Sequence, residues 1–341
     1  RSLPQFAGLS FPRPLTVLIQ GFGAVGAHAA RILLERLPEA IVVGVSDASG
    51  YLFDEEGLPV EELFELWQHN GIVTRPFFMK QIASGRASRV KYSTHPNDLL
   101  RESAFCLIPA APIANYLDTE ASTRPAMTVE RMGRWRLIVE GANTYSPDPS
   151  HKAARARMER AVYRERGVLI ATDYLVNSGG VIFAAQERLI ETPDSLRIPG
   201  EMLGNRNAVE RWLADHADEL QALAERRRRA GEAYREEVIR RNMAELVDLL
   251  VADPDLLPCE AAERISVRRI ASREADRTAD EIMESIPTLS EAGTIRDAAA
   301  LLVEAGCPIL AVISSDGKLA GVVTEWDITR ATAIGCPDDR L

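Results

Sequence analysis

Residues 15–26 read LTVLIQGFGAVG, and this stretch restricts the fold more than any other. Its first six residues are almost wholly apolar on both faces of an extended chain, so the strand they form must be covered on both sides, as in a parallel sheet flanked by helices. The strand stops at Gly21-Phe22-Gly23-Ala24-Val25-Gly26, and a helical pattern follows over residues 27–37. Strand, glycine turn and helix in that order make a phosphate-binding turn. Gly21 permits the tight exit, Gly23 lets the backbone approach a pyrophosphate, and Gly26 lets the helix pack closely. The start of the helix presents free N–H groups to the phosphates. A second apolar run, residues 41–46, stops at Asp47, 21 residues after Gly26. A carboxylate there is placed to bind the adenosine ribose hydroxyls and to repel a 2′-phosphate, which predicts NAD in preference to NADP.

Three more apolar runs, at 105–110, 137–139 and 168–172, read as strands, with helical patterns at 63–67 and 153–166 between them. The predicted class is α/β, a Rossmann-type parallel sheet. From about residue 187 to 277 charged helical sequence takes over. The arginines at 226–229 are followed by Glu232, Glu236 and Glu237, the mixture of a solvated helix rather than of a nucleic-acid site. Near residue 279 the pattern changes again, to a helix at 295–305, a strand at 309–313, a turn at Asp316-Gly317 and a strand at 319–323. The expected division is therefore 1–278, a sheet domain with trailing helices, and 279–341, a small α/β module.

A chain of 341 residues suffices for two such domains. Its formal charge of −10 argues against a nonspecific binder of duplex DNA, whose affinity comes from neutralising phosphates. No apolar run approaches the roughly 18–20 residues a membrane span needs. Cys106, Cys259, Cys307 and Cys336 stand far apart without a C-x-x-C pair or a clustered histidine, so neither a disulfide framework nor a metal site is expected. The sequence begins at Arg1 with no apolar leader, which predicts a cytoplasmic location and an upstream segment that has been removed.

The blocks QGFGAVG, VSDASG, LIPAA, VEGAN and NSGGV occur in that order between residues 15 and 187. This stretch resembles the C-terminal, NAD-binding domain of the glutamate/leucine/phenylalanine/valine dehydrogenase family. The resemblance implies that Ala110, Ala111 and Asn143 line the cofactor crevice and that Asn177 lies close to the nicotinamide. It also implies oxidative deamination of an L-amino acid to a 2-oxo acid. That reaction needs a lysine of depressed pKa to activate water and a carboxylic acid to shuttle protons. In the family both come from an N-terminal substrate domain, the lysine lying in a glycine-rich segment. All but four of the 40 basic residues here are arginine, and Lys80, Lys91, Lys152 and Lys318 have no glycine-rich surroundings. No catalytic residue is assigned, and the expectation is a chain without its substrate domain that does not turn over by itself. Ala184, four positions beyond Gly180, stands where glutamate enzymes of the family carry a hydroxyl for the side-chain carboxylate, and since alanine cannot hydrogen-bond a carboxylate, the resemblance implies either a pocket for apolar substrates or a nonstandard one.

Residues 286–331 close on G-x-x-T-x-x-D, here Gly321, Thr324 and Asp327. They resemble a single cystathionine-β-synthase (CBS) repeat. In ligand-binding repeats the hydroxyl meets phosphate and the carboxylate meets ribose, which makes these three residues candidates for an adenine nucleotide. The combined expectation is the NAD-binding portion of an amino-acid dehydrogenase with a CBS module that senses adenine nucleotides. A homo-oligomer is expected, with neither nucleic acid nor membrane as partner. The alternative is a noncatalytic dinucleotide-binding sensor or scaffold.

Overall fold

Strand β1 (Leu15–Gln20) buries Val17, Leu18 and Ile19 completely or nearly so, as a run apolar on both faces requires. In the computed structural model the described residues are 3–9, 12–85, 89–146, 148–274 and 286–333, the side chains of 186–189, 273–274 and 333 excepted. Val17 and Ile19 pack on one face of the sheet against α1 (Ala24–Arg36), α2 (Val60–Asn70) and α3 (Thr74–Ala83). Leu18 packs on the other, in a cluster with Leu107, Tyr116, Trp135 and Met158.

The sheet also contains β2 (Ala40–Asp47), β3 (Gly50–Phe53), β4 (Lys91–Ser93) and β5 (Cys106–Pro109). A separate two-stranded ladder, β6 (Leu117–Asp118) with β7 (Met127–Thr128), precedes the remaining strands β8 (Leu137–Val139) and β9 (Leu169–Ala171). The seven strands lie in the order β4-β3-β2-β1-β5-β8-β9. Those from β2 to β9 are mutually parallel, while β3 and β4 add antiparallel at one edge. The chain runs outward from β1 to β2, then returns to β5 on the other side of β1. Such a reversal opens a crevice beyond the carboxyl ends of β1 and β5.

The predicted strands and helices of this region are present, with two differences. The edge strands β3 and β4 are too short, at four and three residues, to show a readable alternation. The helix expected at 153–166 is α4 (Pro149–Glu159) followed by π-helical turns over Arg160–Glu165. Asp148 caps α4, accepting from the amides of Ser150 and His151.

Helices α5 (Asp173–Val176), α6 (Gly179–Leu189), α7 (Arg206–Asp215), α8 (Ala217–Ala252) and α9 (Pro258–Glu274) follow. Leu246 and Leu250 of α8 and Ala261 and Ile265 of α9 share a core with Leu169 of β9 and Leu175 of α5. The outer face of α8 carries the exposed i,i+4 ion pairs Arg228–Glu232, Arg229–Glu225 and Arg240–Glu236, as expected of a solvated helix. The compact units are Arg1–Arg269 and Ile270–Leu341.

In the second unit β10 (Thr288–Ser290) runs parallel to β11 (Ile309–Ile313) through α10 (Ile295–Ala305). Strand β12 (Leu319–Thr324) pairs antiparallel with β11 and leads into α11 (Glu325–Ala333). Ala298, Leu302, Leu310, Val312 and Val323 form its core. Cys336 lies outside the described residues. Among those described, no helix is long and apolar enough to cross a membrane, and no group of three or more acidic, histidine or cysteine side chains could hold a metal ion.

Candidate functional site

The crevice is built from three loops at the carboxyl ends of β1, β5 and β8. Gly21 has φ +96°, and a Cβ there would lie 2.6 Å from the Ala111 nitrogen. A Cβ on Gly26 would lie 2.0 Å from the Gly21 carbonyl oxygen, so neither position admits a side chain without backbone movement. Gly23 differs: nothing stands within 4 Å of where its Cβ would be. That open space faces the start of α1, whose N-cap, Gly23, supplies no side chain to its orphan amides. The amides of Gly21 and Phe22 are already given to the Ser46 carbonyl and that of Ala27 to the Gly23 carbonyl, which leaves those of residues 23–26 as the donors available to an anion. Phe22 itself is fully buried and anchors the turn, while Val25 is half-exposed at the rim.

The second loop is bolted to the first, since the Ala110 amide donates to the Gln20 carbonyl at 2.7 Å. The amides of Gly141 and Ala142 donate to Pro109, joining the third loop to the second. Asn143 follows, and its Oδ1 accepts from Nδ2 of Asn177 at 2.9 Å. The structure thus brings Gly21–Gly26, Ala110 and Ala111 together at the sheet reversal and pairs the two asparagines with each other. Gly179, at the start of α6, is crossed by the stem of Arg235 from α8, whose Cδ would stand 2.9 Å from a Cβ there. Ala184 is exposed on α6.

Asp47 is placed differently from the expectation. Its Oδ1 accepts from the Ser49 amide, the Ser49 hydroxyl and the Thr74 hydroxyl, and its Oδ2 from the amides of Val73 and Thr74. Five donors fill the roughly four lone-pair sites of a carboxylate. Burial alone would raise its pKa, but the bonds from Thr74, Val73 and Ser49 outweigh burial and hold the carboxyl below its usual range. Its position at the end of β2 predicts a contact with a ribose; its carboxylate instead meets the start of α3, whose orphan amides need an acceptor. Discrimination between NAD and NADP by this carboxylate therefore loses its geometric support.

Behind Asn143 lies a buried polar network that the sequence reading did not single out. Arg155 of α4 makes a bidentate pair with Glu140 at 2.6 and 3.0 Å and reaches Glu159 at 2.7 Å. Glu140 also accepts from Tyr116, Thr144 and the Asp173 amide, and Glu159 from the Cys259 amide at the start of α9. Burial, against the opposing pull of Arg155, raises the pKa of Glu159. Asp173 accepts from the amides of Thr144 and Tyr145 and so fixes the loop that carries Asn143. The VEGAN block contained the signal: a glutamate at the end of an apolar strand has to find a partner when it is buried. One more buried group stands at the end of β1, the side-chain amide of Gln20, without a hydrogen-bond partner among the described residues.

All four lysines are engaged in ion pairs. Lys80 pairs with Glu62, Lys91 with Glu102, Lys152 with Glu263 and Lys318 with Asp316, all at exposed positions. The hydrogen bond to Glu102 holds Lys91 above its usual range, and that to Glu263 does the same for Lys152. In the second unit Thr324 and Asp327 bond each other. The Thr324 amide and hydroxyl donate to Asp327 Oδ2, and the Asp327 amide donates back to the hydroxyl. The two side chains thereby cap α11, and Gly321 lies on β12 with open space beside it.

Residues 10–192 match the family described as Glutamate/Leucine/Phenylalanine/Valine dehydrogenase, in the N-terminal part of this chain, and residues 279–333 match the CBS domain. Glutamate dehydrogenase of Thermotoga maritima is 33% identical over 171 residues, 50% of this chain and 33% of that protein. The NADP-specific glutamate dehydrogenase of Saccharolobus shibatae is 28% identical over 49% of this chain and 32% of its own, and a catabolic NAD-specific glutamate dehydrogenase of Bacillus subtilis is 27% identical over 48% and 31%. The chain thus covers about a third of the length of these relatives. Among solved structures, the Leu-bound hetero-hexameric glutamate dehydrogenase from Thermus thermophilus matches with TM-score 0.42 and 20% identity, over 76% of this chain and 47% of that one.

Proposed function

Because the chain belongs to the glutamate/leucine/phenylalanine/valine dehydrogenase family, matched over residues 10–192, we propose that its first unit is the nicotinamide-dinucleotide-binding part of an amino-acid dehydrogenase. The observation that carries this reading is the glycine turn at the sheet reversal, with open space at Gly23 and uncapped amides at the start of α1. The pyrophosphate lies over Gly23 and Ala24, and the nicotinamide end reaches toward Asn143 and Asn177. Relatives named for NAD and for NADP both match, and Asp47 is engaged by α3, so either dinucleotide is a candidate and NAD is the first to test. The substrate is an L-amino acid, and Ala184 supports an apolar one.

The ion-paired state of all four lysines supports a further step: this chain binds the cofactor and needs a lysine from outside it for deamination. The same observation favours the second reading, a dinucleotide-binding sensor, if no such lysine exists. Residues 279–341 are the CBS module in this proposal, with adenine nucleotide as ligand, in a cytoplasmic homo-oligomer. Calorimetric titration of the full chain is expected to show NAD binding, with no NADH formed from NAD and amino acids. Absence of NAD and NADP binding would refute the cofactor site, and NADH formation by this chain alone would refute the need for an outside lysine.

A further inference from the structure

At the opposite end of the sheet from the crevice, the chain entering β5, β8 and β9 surrounds a cavity of about 560 Å³. Three arginines line it: Arg134, Arg136 and Arg166. Arg134 and Arg136 flank Trp135 in the extended chain that leads into β8, so the central side chain turns to the core and its neighbours turn outward together. Their backbones are pinned. The Arg134 amide donates to the Ser103 hydroxyl and its carbonyl accepts from Ala104, while the Arg136 amide donates to Phe105 and its carbonyl accepts from Leu169. Arg166 is set by the π-helical turns that end at Glu165, a local irregularity found often at functional sites.

No carboxylate among the described residues lines the cavity, and none of the three guanidinium groups has an ion-pair or hydrogen-bond partner among them. Glu102, the acidic neighbour of Ser103, is turned away toward Tyr51 and Lys91. Met132 and Trp135 contribute an apolar floor. Three unneutralised guanidinium groups around one concavity, in a chain of charge −10, are a local reversal of sign. We infer that this cavity binds a small phosphate-bearing anion of at least two negative charges. Arg134, Arg136 and Arg166 hold the phosphates through fork-like hydrogen bonds, and the body of the molecule rests on Met132 and Trp135. A long polyanion is disfavoured by the charge of the rest of the chain, and the volume is that of a small-molecule site.

Inorganic pyrophosphate is the probe, titrated calorimetrically into the full chain. The wild type is compared with Arg136→Gln, with the triple variant Arg134→Gln/Arg136→Gln/Arg166→Gln, and with Gly23→Ala, which alters only the crevice. The expected result is about tenfold weaker binding for Arg136→Gln, no detectable binding for the triple variant, and unchanged binding for Gly23→Ala. Circular dichroism of the triple variant is expected to match the wild type, since all three side chains are exposed. Failure of pyrophosphate to bind the wild type, unchanged affinity in the folded triple variant, or loss on Gly23→Ala alone would each overturn the inference. The last outcome would place the anion on the glycine turn and leave the cofactor reading intact.

Discussion

Three glycines of one turn do three different physical jobs, and substitution separates them. Gly26→Ala drives a Cβ into the Gly21 carbonyl and is expected to destabilise the unit by about 1–3 kcal/mol in urea unfolding. Gly23 has φ −92° and open space beside it, so Gly23→Ala is expected to leave stability within about 1 kcal/mol of wild type. Its methyl group instead occupies the room a pyrophosphate needs, and dinucleotide affinity should fall by about tenfold or more. Equal affinity in the two proteins would remove Gly23 from the site. Asp47 makes a different kind of prediction. Its pKa in the folded state lies below the unfolded value of about 3.9, so its contribution to stability is present above that pH and is lost as pH falls through the folded pKa. Asp47→Asn should lower stability at pH 7, and its deficit against wild type should shrink on acidification below about pH 4. A constant deficit would mean that the carboxylate charge does not matter at the start of α3.

Among the elements, α4 is held by charge and α8 by packing. Removing the Arg155 guanidinium leaves Glu140 and Glu159 buried without a cation, so Arg155→Met is expected to lose about 3–5 kcal/mol in denaturant titration. The exposed pairs along α8 are worth a few tenths each at most. The T-x-x-D spacing at α11 repeats at α10, where Thr294 and Asp297 form a reciprocal cap. The spacing that suggests a nucleotide contact is thus also that of a helix cap. Thr324→Ala should destabilise the second unit by about 1 kcal/mol, read by the thermal midpoint, with or without any nucleotide present. No change would mean that the cap contributes nothing to α11.

For the whole molecule, the sequence by itself determined the α/β class, the parallel strands and the glycine turn, because those depend on local apolar runs and on backbone freedom at single glycines. It also limits the chain to four lysines, and the fold places each of them in an ion pair. Tertiary structure alone decided where Asp47 points, because the competing donors, Val73 and Thr74, lie 26 and 27 residues further along the chain. It alone decided that Glu140, Arg155 and Glu159 share one buried charge cluster, and that Arg134, Arg136 and Arg166 share one cavity. Hydrogen bonds and ion pairs act over a few ångströms of space, and the partners in each case are brought within that reach only when helices and strands distant in sequence pack together.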